Sequence, residues 1–158
     1  MKTIIWKLKH FFWRVKNVIS WIPLTWNIKW YDYEQYYVVL KFMLEKSIRE
    51  FESSRNQHTS TQHDIHYMRL CIKLIDRIIG CYYQDRSEEE LYKTWGETVM
   101  IIDGDLFQIR REKEKTEEDS KKYAQDFIRS YEYWRDKEDR SRALLFNILK
   151  NKLEHWWI

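Results

Sequence analysis

The sequence is poor in the residues that make tight turns. Among its 158 residues there are only three glycines and one proline. Because β-sandwiches and β-barrels depend on many short turns, this scarcity disfavours both classes. Charged residues make up 34% of the chain and can cover helix surfaces. The composition therefore predicts a mainly α-helical protein, a bundle of about five or six helices in one domain.

Cysteines and long apolar runs are also few. The two cysteines, Cys71 and Cys81, are ten residues apart, too far along one helix for a disulfide to join them. The longest stretch without a charge, residues 17–28, has 12 residues, whereas a transmembrane helix needs about 20. Lysines interrupt the first apolar run, which disfavours an export signal. We therefore expect residues 1–158 to be a cytoplasmic domain with reduced thiols.

Apolar residues recur at helical spacing in three parts of the chain. The first part, residues 1–22, is predicted to be a basic amphipathic helix that ends at Pro23. The second, residues 33–82, is predicted to be a central helical hairpin. The third, residues 110–158, is predicted to contain the C-terminal helices, with a break near residues 137–141.

The pattern between the second and third parts is less regular. Ser87 followed by Glu90 is a capping-box spacing, which predicts a short helix through about Thr94. Residues 98–109 carry apolar side chains on both sides of an Asp-Gly pair. They could form a small β-hairpin, although an irregular loop would fit the same residues.

Positive charge is concentrated at the N-terminus. Six basic residues and no acid precede Asp32, which leaves 22 basic against 25 acidic residues in the remainder. A basic helix with tryptophans could lie on an anionic membrane surface through residues 1–22. The same apolar face could instead pack in the core or against another subunit. The near-neutral balance of the whole chain disfavours a double-stranded nucleic acid as partner.

Aromatic residues make up 17% of the chain, and many of them cluster in the tract from Trp26 to Tyr37. Flat rings can stack on a base, and a neighbouring cation can bind a phosphate. On the second helix of the predicted hairpin, Arg69, Lys73 and Arg77 recur at every fourth position and could face the same site. These residues predict a site for a nucleotide-like ligand: Trp26, Lys29, Trp30, Tyr31, Asp32, Tyr33, Tyr36, Tyr37, Arg69, Lys73 and Arg77. Alternatively, the tract packs the N-terminal helix against the bundle.

Patterns that indicate catalysis are weak. Residues 58–66 contain His58, His63, Asp64 and His66, but the second ligand pair of a structural zinc site is missing. Asp103 and Asp105 could hold Mg²⁺, which keeps a metal-dependent phosphodiesterase as a third hypothesis. No glycine-rich phosphate loop or nucleophile elbow is present. We therefore predict no catalytic residues, no metal and no cofactor.

Four features follow one another along the chain. A basic, Trp-rich start is followed by Trp-Tyr-Asp-Tyr at residues 30–33, a helix at residues 40–45, and the ending Leu-Glu-His-Trp-Trp-Ile. In this order they resemble a family of small helical proteins encoded by tailed phages. The resemblance covers the chain in outline, and its distinctive motifs are Trp-Tyr-Asp-Tyr and Trp156-Trp157. The final Ile158 departs from the family, which often ends on an acid after the two tryptophans.

The resemblance implies a function inside the host bacterial cell. Small phage proteins of this kind often counter host defence, and some sequester nucleotide immune signals without cutting them. Our first hypothesis is therefore a non-enzymatic, homo-oligomeric anti-defence protein that sequesters a nucleotide-derived signal in an aromatic and basic pocket. The alternative is a protein that binds a protein partner or a membrane surface.

Overall fold

The computed structural model describes residues 2–26, 28, 32–53, 59–103 and 106–156. Within these residues the chain forms five helices and one β-hairpin, which confirms the predicted mainly helical class and the small hairpin. The elements in chain order are α1 (Lys2–Trp26), α2 (Glu34–Ser53), α3 (Thr59–Ile79), α4 (Tyr82–Trp95), β1 (Thr98–Asp103), β2 (Leu106–Arg111) and α5 (Glu117–Trp156).

The core lies where α2, α3 and the C-terminal half of α5 pack together. Helix α3 is central because it contacts α2, α4 and α5. Its apolar residues recur every three or four positions, so they lie on one side of the helix and become buried. The buried apolar side chains of the core are Tyr37, Leu44, Ile48, Ile65, Met68, Cys71, Leu74, Ile75, Ile78, Tyr83, Leu145, Ile148, Leu149 and Trp156.

Two ion pairs at opposite ends of α2 connect it to the antiparallel helix α3. Lys41 Nζ lies 2.6 Å from Asp76 Oδ1, and Arg69 Nη2 lies 2.7 Å from Glu52 Oε1. Both pairs are solvent-accessible, so each contributes about 1 kcal/mol or less. The apolar contacts between the two helices therefore supply most of the stabilisation, and the ion pairs define their alignment.

The β-hairpin is anchored at its open end by a buried arginine. Strand β1 pairs antiparallel with β2, and Thr98 lies opposite Arg111. The Arg111 side chain is only 6% exposed and lies 2.5 Å from Glu88 Oε1 of α4. It also donates to Tyr123 Oη of α5 at 3.4 Å. These contacts hold a two-stranded ribbon that would be only marginally stable alone.

Helix α1 is longer than the predicted N-terminal helix. We expected Pro23 to end the helix, but α1 continues through Pro23 to Trp26. Thr25 Oγ1 lies 3.0 Å from the carbonyl oxygen of Trp21 and 3.2 Å from that of Ile22. These are the local side-chain-to-backbone bonds that a threonine forms within a helix, so the helical backbone extends beyond the proline.

The predicted start of the fourth helix is wrong. Helix α4 begins at Tyr82, after Cys81 adopts a left-handed conformation with φ of 53°. Ser87, which we expected to cap a helix, is buried within α4, and its Oγ lies 3.1 Å from Ser130 Oγ of α5. The serine therefore joins two helices instead of starting one.

The C-terminal segment forms one helix, so the break predicted near residues 137–141 is also wrong. Helix α5 is continuous over 40 residues. Arg142 pairs with Glu138 across this stretch, an (i, i+4) pair of the kind that supports a helix. Because no glycine or proline follows Gly104 in the chain, the charged residues alone do not interrupt the helical hydrogen bonds.

Candidate functional site

Helix α1 contacts the rest of the protein through a narrow strip of its C-terminal half. Among its described side chains, residues 5–26, only Asn17, Ser20, Trp21 and Leu24 are partly buried, and the others are exposed. These four positions share one side of the helix because they are separated by three, one and three residues. We call this strip the inner face of α1. Two of its four side chains are polar.

Lys46 of α2 is the centre of the contact with the inner face. Its ammonium group donates to Asn17 Oδ1 at 2.8 Å and lies 3.3 Å from Ser20 Oγ. The same ammonium lies 5.9 Å from the centroid of the Trp21 ring, and that ring contacts Phe42 of α2 with centroids 5.0 Å apart. Hydrogen bonds and aromatic contacts therefore hold α1 on α2, and among the described side chains of the inner face only Leu24 is aliphatic.

The apolar stripe of α1 points away from the protein. Its described members recur at spacings of three and four residues, and each is 37–66% exposed. This stripe, here called the outer face, consists of Ile5, Leu8, Phe11, Phe12, Val15, Val18, Ile19 and Ile22. The sequence left open whether this face packs in the core, and in the structure it does not.

Basic residues border the outer face on both sides. At 100° per residue, Lys9 and Lys16 lie along one border, and Lys7 and Arg14 lie along the other. All four are exposed. No ion pair joins any of them to a carboxylate within the described part of the chain. The outer face is thus an apolar band between two rows of unpaired cations.

Two tryptophans lie on the same side of α1 as the inner face, nearer the N-terminus of the helix. Trp6 and Trp13 are both 61% exposed, and His10 lies between them, with ring centroids 4.2 Å and 6.5 Å away. Despite this apolar content, none of the described helices is long and apolar enough to cross a membrane. A helix of this kind can bury its outer face by lying along a membrane surface or by packing against another protein.

The predicted aromatic ligand site is only partly described. Lys29, Trp30 and Tyr31 lie outside the described residues. Asp32 is a helix cap, because its Oδ1 accepts the backbone N–H of Glu34 at 3.0 Å. Tyr37 belongs to the core. The three other aromatic residues are exposed, by 59–85%: Trp26, Tyr33 and Tyr36.

The basic residues of α3 are not gathered at this tract. Arg69 pairs with Glu52, which is about 22 Å along α2 from Tyr37 at 1.5 Å per residue. Arg77 lies over the Tyr82 ring, 5.1 Å from its centroid, and Lys73 is exposed. Nucleotide binding by the tract stays a prediction, and the described residues do not assemble it into one pocket.

The weaker metal hypotheses fall largely outside the described side chains. His58, Gly104 and Asp105 are not described, and neither is the side chain of Asp103. Within the described residues no group of three or more histidine, cysteine, aspartate or glutamate side chains is placed to hold a metal ion. The rings of His63 and His66 instead contact Tyr67.

The sequence contained a signal for the direction in which α1 faces. Asn17 and Ser20 lie on the side of the helix opposite the apolar stripe. If that side packs against the protein, both need a polar partner on another helix, and Lys46 is that partner. Periodicity shows the stripe but not this partner. No protein-family model, curated protein or solved structure matches the chain.

Proposed function

We propose that this protein binds an anionic lipid surface, with α1 lying flat in the interface between headgroups and acyl chains. One observation carries the proposal: α1 is attached to the protein by its inner face, so its apolar outer face points outward. An amphipathic helix that only stabilised the fold would be attached the other way round. The orientation favours a partner outside the chain.

The exposed apolar area supports burial against such a partner. Eight neighbouring large apolar side chains form the outer face, and monomeric proteins rarely expose a contiguous apolar patch above a few hundred Å². Full burial of one such side chain contributes roughly 1.5–3 kcal/mol. Even partial burial of the eight would therefore outweigh the loss of translational freedom on a surface.

The charge pattern favours lipid with negative headgroups. Near an anionic membrane each lysine or arginine contributes about 1 kcal/mol, and Lys7, Lys9, Arg14 and Lys16 all lie at the borders of the outer face. Trp6 and Trp13, on the side of α1 opposite the outer face, would lie at the level of the headgroups, where tryptophans are enriched. The order across the helix, an apolar band in the middle with cations on both sides, matches the layers of a membrane surface.

A second copy of the chain fits the outer face less well. A two-fold contact brings the same patch from each subunit together, so it would place the four cations of one copy beside those of the other. Like charges juxtaposed in this way cost several kcal/mol. An acidic protein partner would avoid this repulsion, and it is one outcome that the experiment below distinguishes.

Flotation with vesicles tests the proposal. The full chain is mixed with vesicles of phosphatidylglycerol and phosphatidylcholine, or of phosphatidylcholine alone, and spun through a density gradient at 0.05 M and 0.5 M salt. We expect flotation with the anionic vesicles, weakened at high salt by screening, and little with phosphatidylcholine alone. Absence of flotation with either composition would overturn the proposal. In that case, light scattering would show whether the chain instead self-associates.

A further inference from the structure

A groove of about 760 Å³ runs between α1 and α2, beside the inner face. Its walls include four aromatic rings and two charged groups: Trp13, Trp21, Phe51, Trp156, Lys46 and Glu50. The remaining lining residues are uncharged. With one cation and one anion, the groove has no net charge, so it suits a ligand that carries both signs.

The two charges are placed for one small ligand. Lys46 and Glu50 are four residues apart on α2, and side chains with this spacing are neighbours, with Cβ atoms about 5–6 Å apart. The ammonium of Lys46 touches only neutral side-chain oxygens, those of Asn17 and Ser20, among the described residues. A phosphate can therefore approach it without displacing a carboxylate.

The rings of the groove suit the positive end of such a ligand. Indole faces attract ammonium groups within about 6 Å, and three of the four rings are indoles. Trp156 is held in place, because it is only 4% exposed and its Nε1 lies 3.4 Å from Asp64 Oδ1. Because Glu50 lines the same groove as these rings, a ligand ammonium that donates to Glu50 would share the groove with them.

The position of the groove relative to the outer face fixes its depth at a membrane. Interfacial helices bury their apolar face about 5–10 Å into the boundary of headgroups and acyl chains, and a helix with side chains is about 10–12 Å across. The inner face, which lies opposite, would then be level with the headgroups. Lipid phosphates would lie next to the groove.

We propose that this groove binds the headgroup of a phospholipid that carries a primary amine, such as phosphatidylethanolamine. Its phosphate binds Lys46, its ammonium group donates to Glu50, and the indoles flank the ammonium. The inference rests on the proposed function, because the groove meets headgroups only when α1 lies in the interface. A nucleotide monophosphate fits less well, since its two negative charges would meet one lysine and one glutamate.

Two vesicle compositions test the headgroup site. Both contain the same fraction of phosphatidylglycerol, and the remainder is phosphatidylethanolamine in one and phosphatidylcholine in the other. Because phosphatidylethanolamine also alters lipid packing, the test depends on variants. The groove variants are Glu50→Gln and Lys46→Gln. The control variants are Lys150→Gln and Glu154→Gln, two exposed residues of α5 with the same (i, i+4) spacing. We expect the native chain and both controls to bind the phosphatidylethanolamine vesicles at least threefold more tightly.

The groove variants should lose this preference while they still bind phosphatidylglycerol vesicles. Lys46→Gln also removes contacts to α1 and could misfold, which circular dichroism would show. In that case Glu50→Gln alone tests the headgroup site, because it leaves Asn17 and Ser20 untouched. Equal binding of both compositions by the native chain would overturn the inference, as would a preference that survives Glu50→Gln. Competition by adenosine monophosphate that depends on Lys46 would overturn it too and indicate a nucleotide site. Loss of all vesicle binding by the native chain would instead refute the proposed function.

Discussion

Helices α1 and α3 have the same kind of apolar stripe and opposite environments. In α3 the stripe is buried, with Met68 and Ile75 at 0% exposure, whereas in α1 Phe11 and Ile19 are 61% and 57% exposed. The spacing of apolar residues therefore determines that a helix has an apolar face. Which partner covers that face depends on the residues on the other sides of the helix.

The two helices also differ in the signs of their charges. The polar side of α3 mixes both signs, and its Arg69 and Asp76 form ion pairs with α2. The described polar residues of α1 include bases but no acid. A helix with mixed charges fits between other helices of the chain, while one with only positive charges fits a negatively charged surface.

Truncation of one isoleucine in each helix should give the largest contrast. Ile75→Ala removes a fully buried side chain and should lower the free energy of unfolding by about 2–5 kcal/mol. Ile19→Ala should change it by about 0.5 kcal/mol or less, as is usual for exposed positions. Chemical denaturation of both variants measures the difference. Similar losses in the two variants would mean that α1 packs in the fold.

The two cysteines should show a second large contrast between buried and exposed positions. Cys71 is on the buried face of α3, where burial raises the pKa of its thiol from 9.0 to about 11. Two pKa units reduce the reactive thiolate about a hundredfold, and burial adds a barrier to reagents. Cys81 is exposed. Iodoacetamide at pH 7.5 should therefore label Cys81 first, by mass spectrometry of peptides, and rapid labelling of Cys71 would contradict the buried assignment.

Removal of two border cations should weaken vesicle binding by a factor smaller than the roughly hundredfold effect expected for the thiol of Cys71. Lys9→Gln with Lys16→Gln deletes one border of the outer face, and at about 1 kcal/mol per lysine the loss is roughly 30-fold at low salt. A matched double variant of exposed lysines on α5, Lys122→Gln with Lys150→Gln, changes the net charge equally. If it lowers affinity for anionic vesicles as much, binding depends on overall charge and not on α1.

Much of the fold followed from residue spacing. The central helical hairpin predicted over residues 33–82 corresponds to α2 and α3, because their stripes are buried and their polar sides are solvated. The hairpin followed from two apolar runs around an Asp-Gly pair. The errors all concern interruptions: Pro23 lies inside α1, Ser87 lies inside α4, and residues 137–141 continue α5. At these positions the hydrogen bonds and packing contacts of the long helices outweigh the local preference for a break.

The candidate site was harder to predict for a physical reason. The amphipathic character and positive charge of residues 1–22 were visible in sequence, and a membrane surface was one hypothesis. Lys46, which holds the inner face, is 26 residues from Ser20 along the chain, so the contact that turns the outer face outward is tertiary. Aromatic density suggested a site at Trp26 to Tyr37 because composition does not distinguish Tyr37 in the core from exposed Tyr36.

The most direct test compares two isoleucines with almost equal exposure, Ile19 of the outer face at 57% and Ile128 of α5 at 55%. Each is changed to aspartate, and binding to phosphatidylglycerol-containing vesicles is measured by flotation. We expect Ile19→Asp to weaken binding about tenfold or more, since a loss of about 1.4 kcal/mol of apolar transfer is sufficient, and Ile128→Asp to bind like the native chain. Equal binding by the two variants would show that the outer face of α1 does not contact the lipid.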